Sequence, residues 1–303
     1  MNSLSFLLWL QSLRTPVADS LAIGASSLGS EEAYLIVLTT IYLCIGHRLG
    51  FHMFVVFLLS VFVNSELKLL FATERPYVLY PEQLHPLYVE SGGGYAFPSG
   101  HSQGAAVVGG ILSVRAGDRP TRAALLLVVA AIAFSRLYLG VHWPADVIGG
   151  LLIGGAFVLG YLVLLGAWAA AGRSLGFTLP LLLILLGSAA IFGLGYGEGV
   201  CVRTAGVLLG SGIGYLLLER RGGYKAQAPP WTQVAKVLVA VVVLLGLRTG
   251  LKLVLGEAPW ANAARYAVIG LTSAYLLPLL FCLAYNLRKR WPKYAETLQQ
   301  EDD

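Results

Sequence analysis

With 303 residues, 57% of them hydrophobic and 12% charged, and a mean hydropathy of +0.73, the chain departs from the composition of a soluble globular domain and reads as a polytopic membrane protein. Its net charge of +5 comes from short basic clusters between apolar runs, the pattern of cytoplasmic loops, so nucleic acid is not an expected partner. Cys44, Cys201 and Cys282 each sit inside an apolar run, which argues for packing roles and against a disulfide framework or a Cys-x-x-Cys metal site.

Residues 1–30 contain the apolar patch SFLLWL but no basic leader region and no cleavage site, and Arg14, Pro16 and Asp19 interrupt them, so a cleaved signal peptide is not expected. Leu4, Leu7, Leu8, Leu10, Leu13, Val17 and Leu21 fall near one face of a helix, which predicts an amphipathic segment lying in the membrane interface. Apolar runs follow at 33–47, 51–72, 99–115, 121–138, 144–168, 175–197, 200–218, 232–254 and 263–287. A span needs about 20 apolar residues, so the shortest of these runs leave the number of spans at about nine. The expected architecture is an all-α polytopic bundle: an interfacial helix in 1–30, a core over 31–170, additional transmembrane helices over 171–287, and a solvated cytoplasmic tail over 288–303.

The loops on one side carry Arg48, then Arg115, Arg119 and Arg122, then Arg173, then Arg220, Arg221 and Lys225, and finally Arg288, Lys289, Arg290 and Lys293. That side is the cytoplasmic candidate. Three short runs gather the remaining chemistry on the opposite side: Lys68–Pro76 (KLLFATERP), Pro98–His101 (PSGH) and Ser135–Asp146 (SRLYLGVHWPAD).

In the first run, Lys68 and Arg75 are seven residues apart, two helical turns, so both are expected to project from one face near the end of the second span. A pair of snorkelling side chains has the same spacing, but Pro76, stopping the helix beside Arg75, favours two cations that meet one anion. In the second run, Ser99 and Gly100 open a helix whose first-turn N–H groups are free to hold an anion, Ser99 can add its hydroxyl, and His101 is placed to exchange a proton. In the third, Arg136 ends one span, His142 precedes Pro144, and Asp146 follows His142 by four residues, within reach of the imidazole. A carboxylate on one ring nitrogen fixes the tautomer and leaves the other nitrogen with a lone pair.

Outside these runs, the segment 77–97, with Tyr77, Tyr80, Tyr88, Glu82, Glu90 and the Gly92-Gly93-Gly94 run, reads equally as a substrate-selecting lid and as a solvated connector. Arg248 and Lys252, four apart near a span end on the motif side with Arg203, could grip a second anionic group, although snorkelling charges are the simpler reading. Gly206, Gly210 and Gly214, and likewise Gly150 and Gly154, repeat every fourth residue and predict close helix packing, within one chain or between two.

The runs K-x6-RP, PSGH and SR-x5-H-x3-D resemble the three signature motifs of the type-2 phosphatidic-acid phosphatase superfamily, which contains membrane lipid phosphatases, the glucose-6-phosphatases and soluble vanadium haloperoxidases. The resemblance covers residues 68–146 and fills every signature position. It implies that His142 is a nucleophile that becomes a phosphohistidine, that Asp146 orients it, and that His101 is the general acid and then the base. Lys68, Arg75, Arg136, Ser99 and the Gly100 amide would hold the phosphate oxygens, with no metal and no cofactor. The expected activity is hydrolysis of lipid phosphate monoesters or diphosphates in the bilayer, at the face of the cell membrane turned away from the cytoplasm. The alternatives are a phosphatase of a soluble sugar phosphate and a non-catalytic anion-binding transporter.

Overall fold

A computed structural model describes residues 2–91, 93–171, 177–195 and 199–284, and every regular element among these residues is helical. The tail 288–303, Arg173 and Gly92 lie outside them. The helices are α1 (Ser3–Ser12), α2 (Pro16–Ser27), α3 (Glu31–Thr40), α4 (His47–Phe71), α5 (Pro76–Leu79), α6 (Gly100–Arg115), α7 (Arg119–Tyr138), α8 (Pro144–Ala171), α9 (Thr178–Leu194), α10 (Gly199–Arg220), α11 (Pro230–Leu255) and α12 (Pro259–Leu271). Wider π turns follow α3 at Ile41–Ile45 and α12 at Thr272–Leu276.

Among the described residues, each of the nine apolar runs contains a helix, but the helix lengths differ. Among the described residues, six helices are long and apolar enough to cross a membrane, or seven if α2 and the α3 segment, bent by 55°, form one broken span. At 16 and 17 residues, α6 and α9 are shorter than a full crossing.

The single interfacial helix expected in 1–30 is instead two helices. Thr15 caps α2 by accepting the Ala18 N–H, and Pro16 occupies its first position, a start signal strong enough to break the apolar face in two. Leu7 and Leu10 of α1 are buried in the protein, whereas Leu13, Val17 and Leu21 point outward.

The chain divides into two units, Met1–Val37 with His52–Ser174, and Leu38–Phe51 with Leu175–Asp303. In the first unit α6 packs on α7 and α8. The α6–α8 approach depends on glycine: a Cβ at Gly150 would lie 2.6 Å from the Ser99 carbonyl oxygen, and one at Gly154 2.6 Å from that of Gln103. This closeness lets the Ser99 N–H donate to the Asp146 carbonyl at 3.0 Å, tying the start of α6 to the first turn of α8.

In the second unit α10 packs along α12 in the same manner. A Cβ at Gly206 would sit 2.2 Å from the Ala263 oxygen, and one at Gly210 1.8 Å from that of Ala267. The Gly206-Gly210-Gly214 repeat therefore serves packing within this chain. Because the obstacle at Gly210 is backbone rather than a movable side chain, Gly210→Val is expected to destabilise the protein by about 3 kcal/mol or more. Thermal loss of the monodisperse detergent-solubilised peak measures it; an unchanged midpoint would show that the α10–α12 contact is dispensable.

Candidate active site

The sequence placed Lys68 and Arg75 on one helical face, and the structure corrects this. Helix α4 stops at Phe71, Ala72 turns into the left-handed region with φ of 43°, and Arg75, which precedes Pro76, is extended with ψ of 153°. A residue before proline is sterically pushed out of the helical region, so α4 cannot run through Arg75 into α5. The two cations still converge, because Lys68 Nζ and Arg75 Nη2 both donate to the carbonyl of Tyr95.

Arg75 is 4% exposed and almost wholly engaged. Its Nε donates to Gly94 O at 2.7 Å, Nη2 to Gly93 O at 2.9 Å, and Nη1 to Val141 O at 2.9 Å. Gly94 has φ of +66°, a conformation that costs glycine nothing and turns its carbonyl toward the guanidinium. Arg136, fully buried on the last turn of α7, donates from Nη1 to the hydroxyls of Ser26 and Ser91 and from Nη2 to Ser91 O at 3.1 Å. Its Nε is buried without a hydrogen-bond partner, and so is His101 Nε2. Burying an unpaired polar atom costs about 1–3 kcal/mol, so these atoms mark where an incoming group gains most.

His142 Nδ1 lies 3.2 Å from Asp146 Oδ2, which also accepts the Trp143 N–H at 2.8 Å, and both side chains are buried. With the proton on Nδ1, the Nε2 lone pair faces Arg75 Nη1 at 3.4 Å. Burial first, and then the charges of Arg75, Arg136 and Lys68, hold the His142 imidazole well below its ordinary pKa, so the ring is neutral and its lone pair available. Pro144 begins α8, and Asp146 lies in its first turn, which is how four residues of chain bring the carboxylate back under the ring.

Ser99 caps α6, accepting the Ser102 N–H and the Ser102 hydroxyl at 3.4 and 3.0 Å. Gly100, the first residue of α6, contributes its N–H to the first-turn donors that a helix cannot satisfy internally. Below this turn runs a buried amide network that the sequence did not announce. Asn64 donates to Pro98 O at 3.3 Å and to Gln103 Oε1 at 2.8 Å, and Gln103 donates to Ser60 at 2.8 Å. A Cβ at Gly100 would approach Asn64 Oδ1 to 3.3 Å, so the turn sits directly on the network.

The segment 77–97 is neither bare connector nor detached flap: its carbonyls and Ser91 brace all three cations. Helices α1 and α2 also support the site. Gln11 exchanges hydrogen bonds with Gln83 O and His85 N, Arg14 donates to His85 O and Tyr138 O, and Tyr138 donates to Asp19 at 2.8 Å. Gly29, between α2 and α3, lies against the His101 ring, where a Cβ would come within 3.0 Å. The arrangement gathers three cations, one neutral histidine held by a carboxylate, and a second histidine whose Nε2 has no hydrogen-bond partner.

Residues 49–170 match the PAP2 superfamily, and residues 202–290 match the PAP2 superfamily phosphatase transmembrane extension. That extension and the apolar helices make the chain an integral membrane protein. Over 117 residues, 38% of the chain, it is 37% identical to YbjG of Escherichia coli K12, which carries the provisional name undecaprenyl-diphosphatase. Over 109 residues, 35% of the chain, it is 26% identical to an undecaprenyl-diphosphatase of Sulfolobus acidocaldarius. These stretches cover 55% and 50% of the two relatives, so the chain spans about half the length of each. The crystal structure of a transmembrane PAP2-type phosphatidylglycerolphosphate phosphatase from Bacillus subtilis superposes with a TM-score of 0.46 at 24% identity, covering 57% of this chain and 87% of that one. That of Aquifex aeolicus LpxE gives 0.47 at 26% identity, with 54% and 95% covered.

Proposed function

We propose that this chain, which belongs to the PAP2 superfamily, hydrolyses a phosphate monoester, or the terminal phosphate of a diphosphate, on a membrane lipid through a phosphohistidine at His142. The observation that carries the reading is the His142 pair: Nδ1 on Asp146 and Nε2 directed at Arg75 among three cations. A site that only bound or carried an anion would need the cations but not an oriented, neutral histidine.

In this reading the phosphate oxygens take hydrogen bonds from Lys68, Arg75, Arg136, Ser99 and the Gly100 N–H. The His142 Nε2 lone pair forms a bond to phosphorus as the bond from phosphorus to the lipid oxygen breaks, and that oxygen takes a proton from His101. A water then gives a proton to His101 as its oxygen bonds to phosphorus and the N–P bond breaks, which frees phosphate and restores both histidines. Charge spreading over the non-bridging oxygens is met by donors already in place, the main source of acceleration in phosphoryl transfer.

A lipid substrate is supported by the position of the site at the ends of α4, α6, α7 and α8 and by the names of the two relatives. The site faces away from the cytoplasm in this reading. Its support is the clustering of Arg115, Arg119 and Arg122 at the ends of α6 and α7 away from Ser99 and Arg136. The test is phosphate release by detergent-purified protein from polyprenyl diphosphate, phosphatidic acid, phosphatidylglycerophosphate, a sphingoid phosphate and glucose 6-phosphate, in EDTA. Release is expected from at least one lipid, with the sugar phosphate untouched. Release from glucose 6-phosphate alone would move the reading to a soluble substrate, and none from any substrate would leave an anion-binding protein.

A further inference from the structure

The sequence reads Arg248 and Lys252 as snorkelling charges first and as a second grip for an anion only second, and in the second unit neither is poised for an anion. Lys252 is paired with Glu257, and Arg248 is exposed on α11. The unusual group lies beside them, where α10 begins and α12 begins. Arg265, in the second turn of α12, is 7% exposed, and only its Nη2 is hydrogen-bonded, to Asn262 Oδ1. Its Nε and Nη1 are buried without a partner.

Arg203 of α10 adds a second cation. The two guanidinium carbons lie 6.0 Å (Arg203) and 5.5 Å (Arg265) from the centroid of the Tyr266 ring. A ring face offsets part of a cation's desolvation but leaves the in-plane N–H groups unsatisfied. Among the described residues, the carboxylate whose charge reaches Arg265 is Glu257, which is exposed and already bound to Lys252. Asn262 in turn donates to the Glu257 carbonyl at 2.9 Å, which turns its amide oxygen to Arg265. Among the described residues, the cluster of Arg203, Lys252 and Arg265 against Glu257 thus carries excess positive charge beside a buried guanidinium with two donors unmet. Ionisable groups inside membrane helices are costly and persist where they meet a partner.

We propose that Arg265 and Arg203 form a second anion site, in the transmembrane extension, for a phosphate group presented by an anionic lipid head group or as free phosphate. The two unmet N–H groups of Arg265 suit a pair of phosphate oxygens, and Arg203 supplies the second charge. Asn262 fixes the fork in place. The site uses no residue of the His142 chemistry, and its occupant is bound rather than cleaved, since among the described residues the cluster holds no histidine and no base paired with a nucleophile.

Native mass spectrometry of the full-length His142→Ala protein tests it, with separate titrations of phosphatidylglycerol, phosphatidylcholine and inorganic phosphate. Arg265→Gln and Arg203→Gln are each expected to weaken phosphatidylglycerol retention by about tenfold, the size of one charge-assisted hydrogen bond. Arg248→Gln and the phosphatidylcholine titration serve as controls and are expected not to change. An arginine-dependent loss in the lipid arm alone identifies a head group; the same loss in the inorganic phosphate arm identifies the free anion. Equal retention of both ligands by the parent and both variants overturns the proposal. If Arg265→Gln does not purify as folded protein, Arg265→Lys, which keeps the charge and removes the fork, and Arg203→Gln decide the question.

Discussion

Asp146→Asn is expected to lower kcat by about 10³-fold with little change in KM or stability, and His142→Ala to stop turnover altogether. Asp146 Oδ2 serves two donors at once, the His142 Nδ1–H and the Trp143 N–H. An asparagine with its oxygen in that place keeps both hydrogen bonds, so the first turn of α8 and the ring tautomer survive. What disappears is the negative charge that offsets the positive charge gained by the ring as Nε2 bonds to phosphorus. A rapid-quench experiment with labelled substrate would find acid-labile phosphoprotein in the parent and none in His142→Ala. Near-normal turnover in Asp146→Asn would remove the carboxylate from the mechanism, and phosphoprotein that persists in His142→Ala would place the nucleophile elsewhere.

The same pair has a consequence for pH. Because burial and the three cations hold His142 below its ordinary value, the unfolded chain binds more protons than the folded one once the pH falls under the free imidazole value of about 6.5. The stability this neutral ring contributes is complete above that pH and is lost as the pH drops toward the folded value. Histidine ¹⁵N spectra at pH 6, with the His142 signals assigned by their absence in His142→Gln, are expected to show a neutral ring protonated on Nδ1. A doubly protonated ring at that pH would contradict the geometry.

The candidate site residues were legible in the sequence because they are rare in apolar helices: a charged or imidazole group inside a membrane run stands out against leucine and glycine. Pro144 and the spacing of four announced the His142–Asp146 pair directly. The supports were not legible, and for a common reason. Ser26, Ser91 and the carbonyls of Gly93, Gly94 and Tyr95 act through atoms that almost every residue possesses, brought in from segments far from the motifs they serve. The Asn64–Gln103–Ser60 network is built of uncharged groups that periodicity does not mark. The one misplaced motif residue, Arg75, departs from helical spacing for a local reason: the backbone turns left-handed at Ala72, and Arg75 occupies a pre-proline position that helices avoid. Lys68 and Arg75 thus meet at the Tyr95 carbonyl rather than along one helical face.

Arg136→Lys is expected to reduce kcat/KM by about 100-fold or more even though the charge is kept. In the parent, Nη1 and Nη2 are held by Ser26, Ser91 and the Ser91 carbonyl, which fixes the guanidinium plane and leaves Nε as its one buried donor without a partner. Two ends of the fork therefore anchor the side chain while the third is left for the substrate. A lysine ammonium is a single centre: it can sit with the two serines or reach the phosphate, but it cannot do both from one position. The expected signature is a fall in kcat larger than the rise in KM, since the lost donor counts most where negative charge spreads over the phosphoryl oxygens. Ser26→Ala separates anchoring from contact with substrate, because it loosens Nη1 without touching Nε and is expected to cost less than Arg136→Lys. Steady-state kinetics of both variants, with folding verified by detergent size exclusion, decides the matter. Wild-type turnover by a folded Arg136→Lys protein would show that Arg136 braces the helix ends and does not bind phosphate.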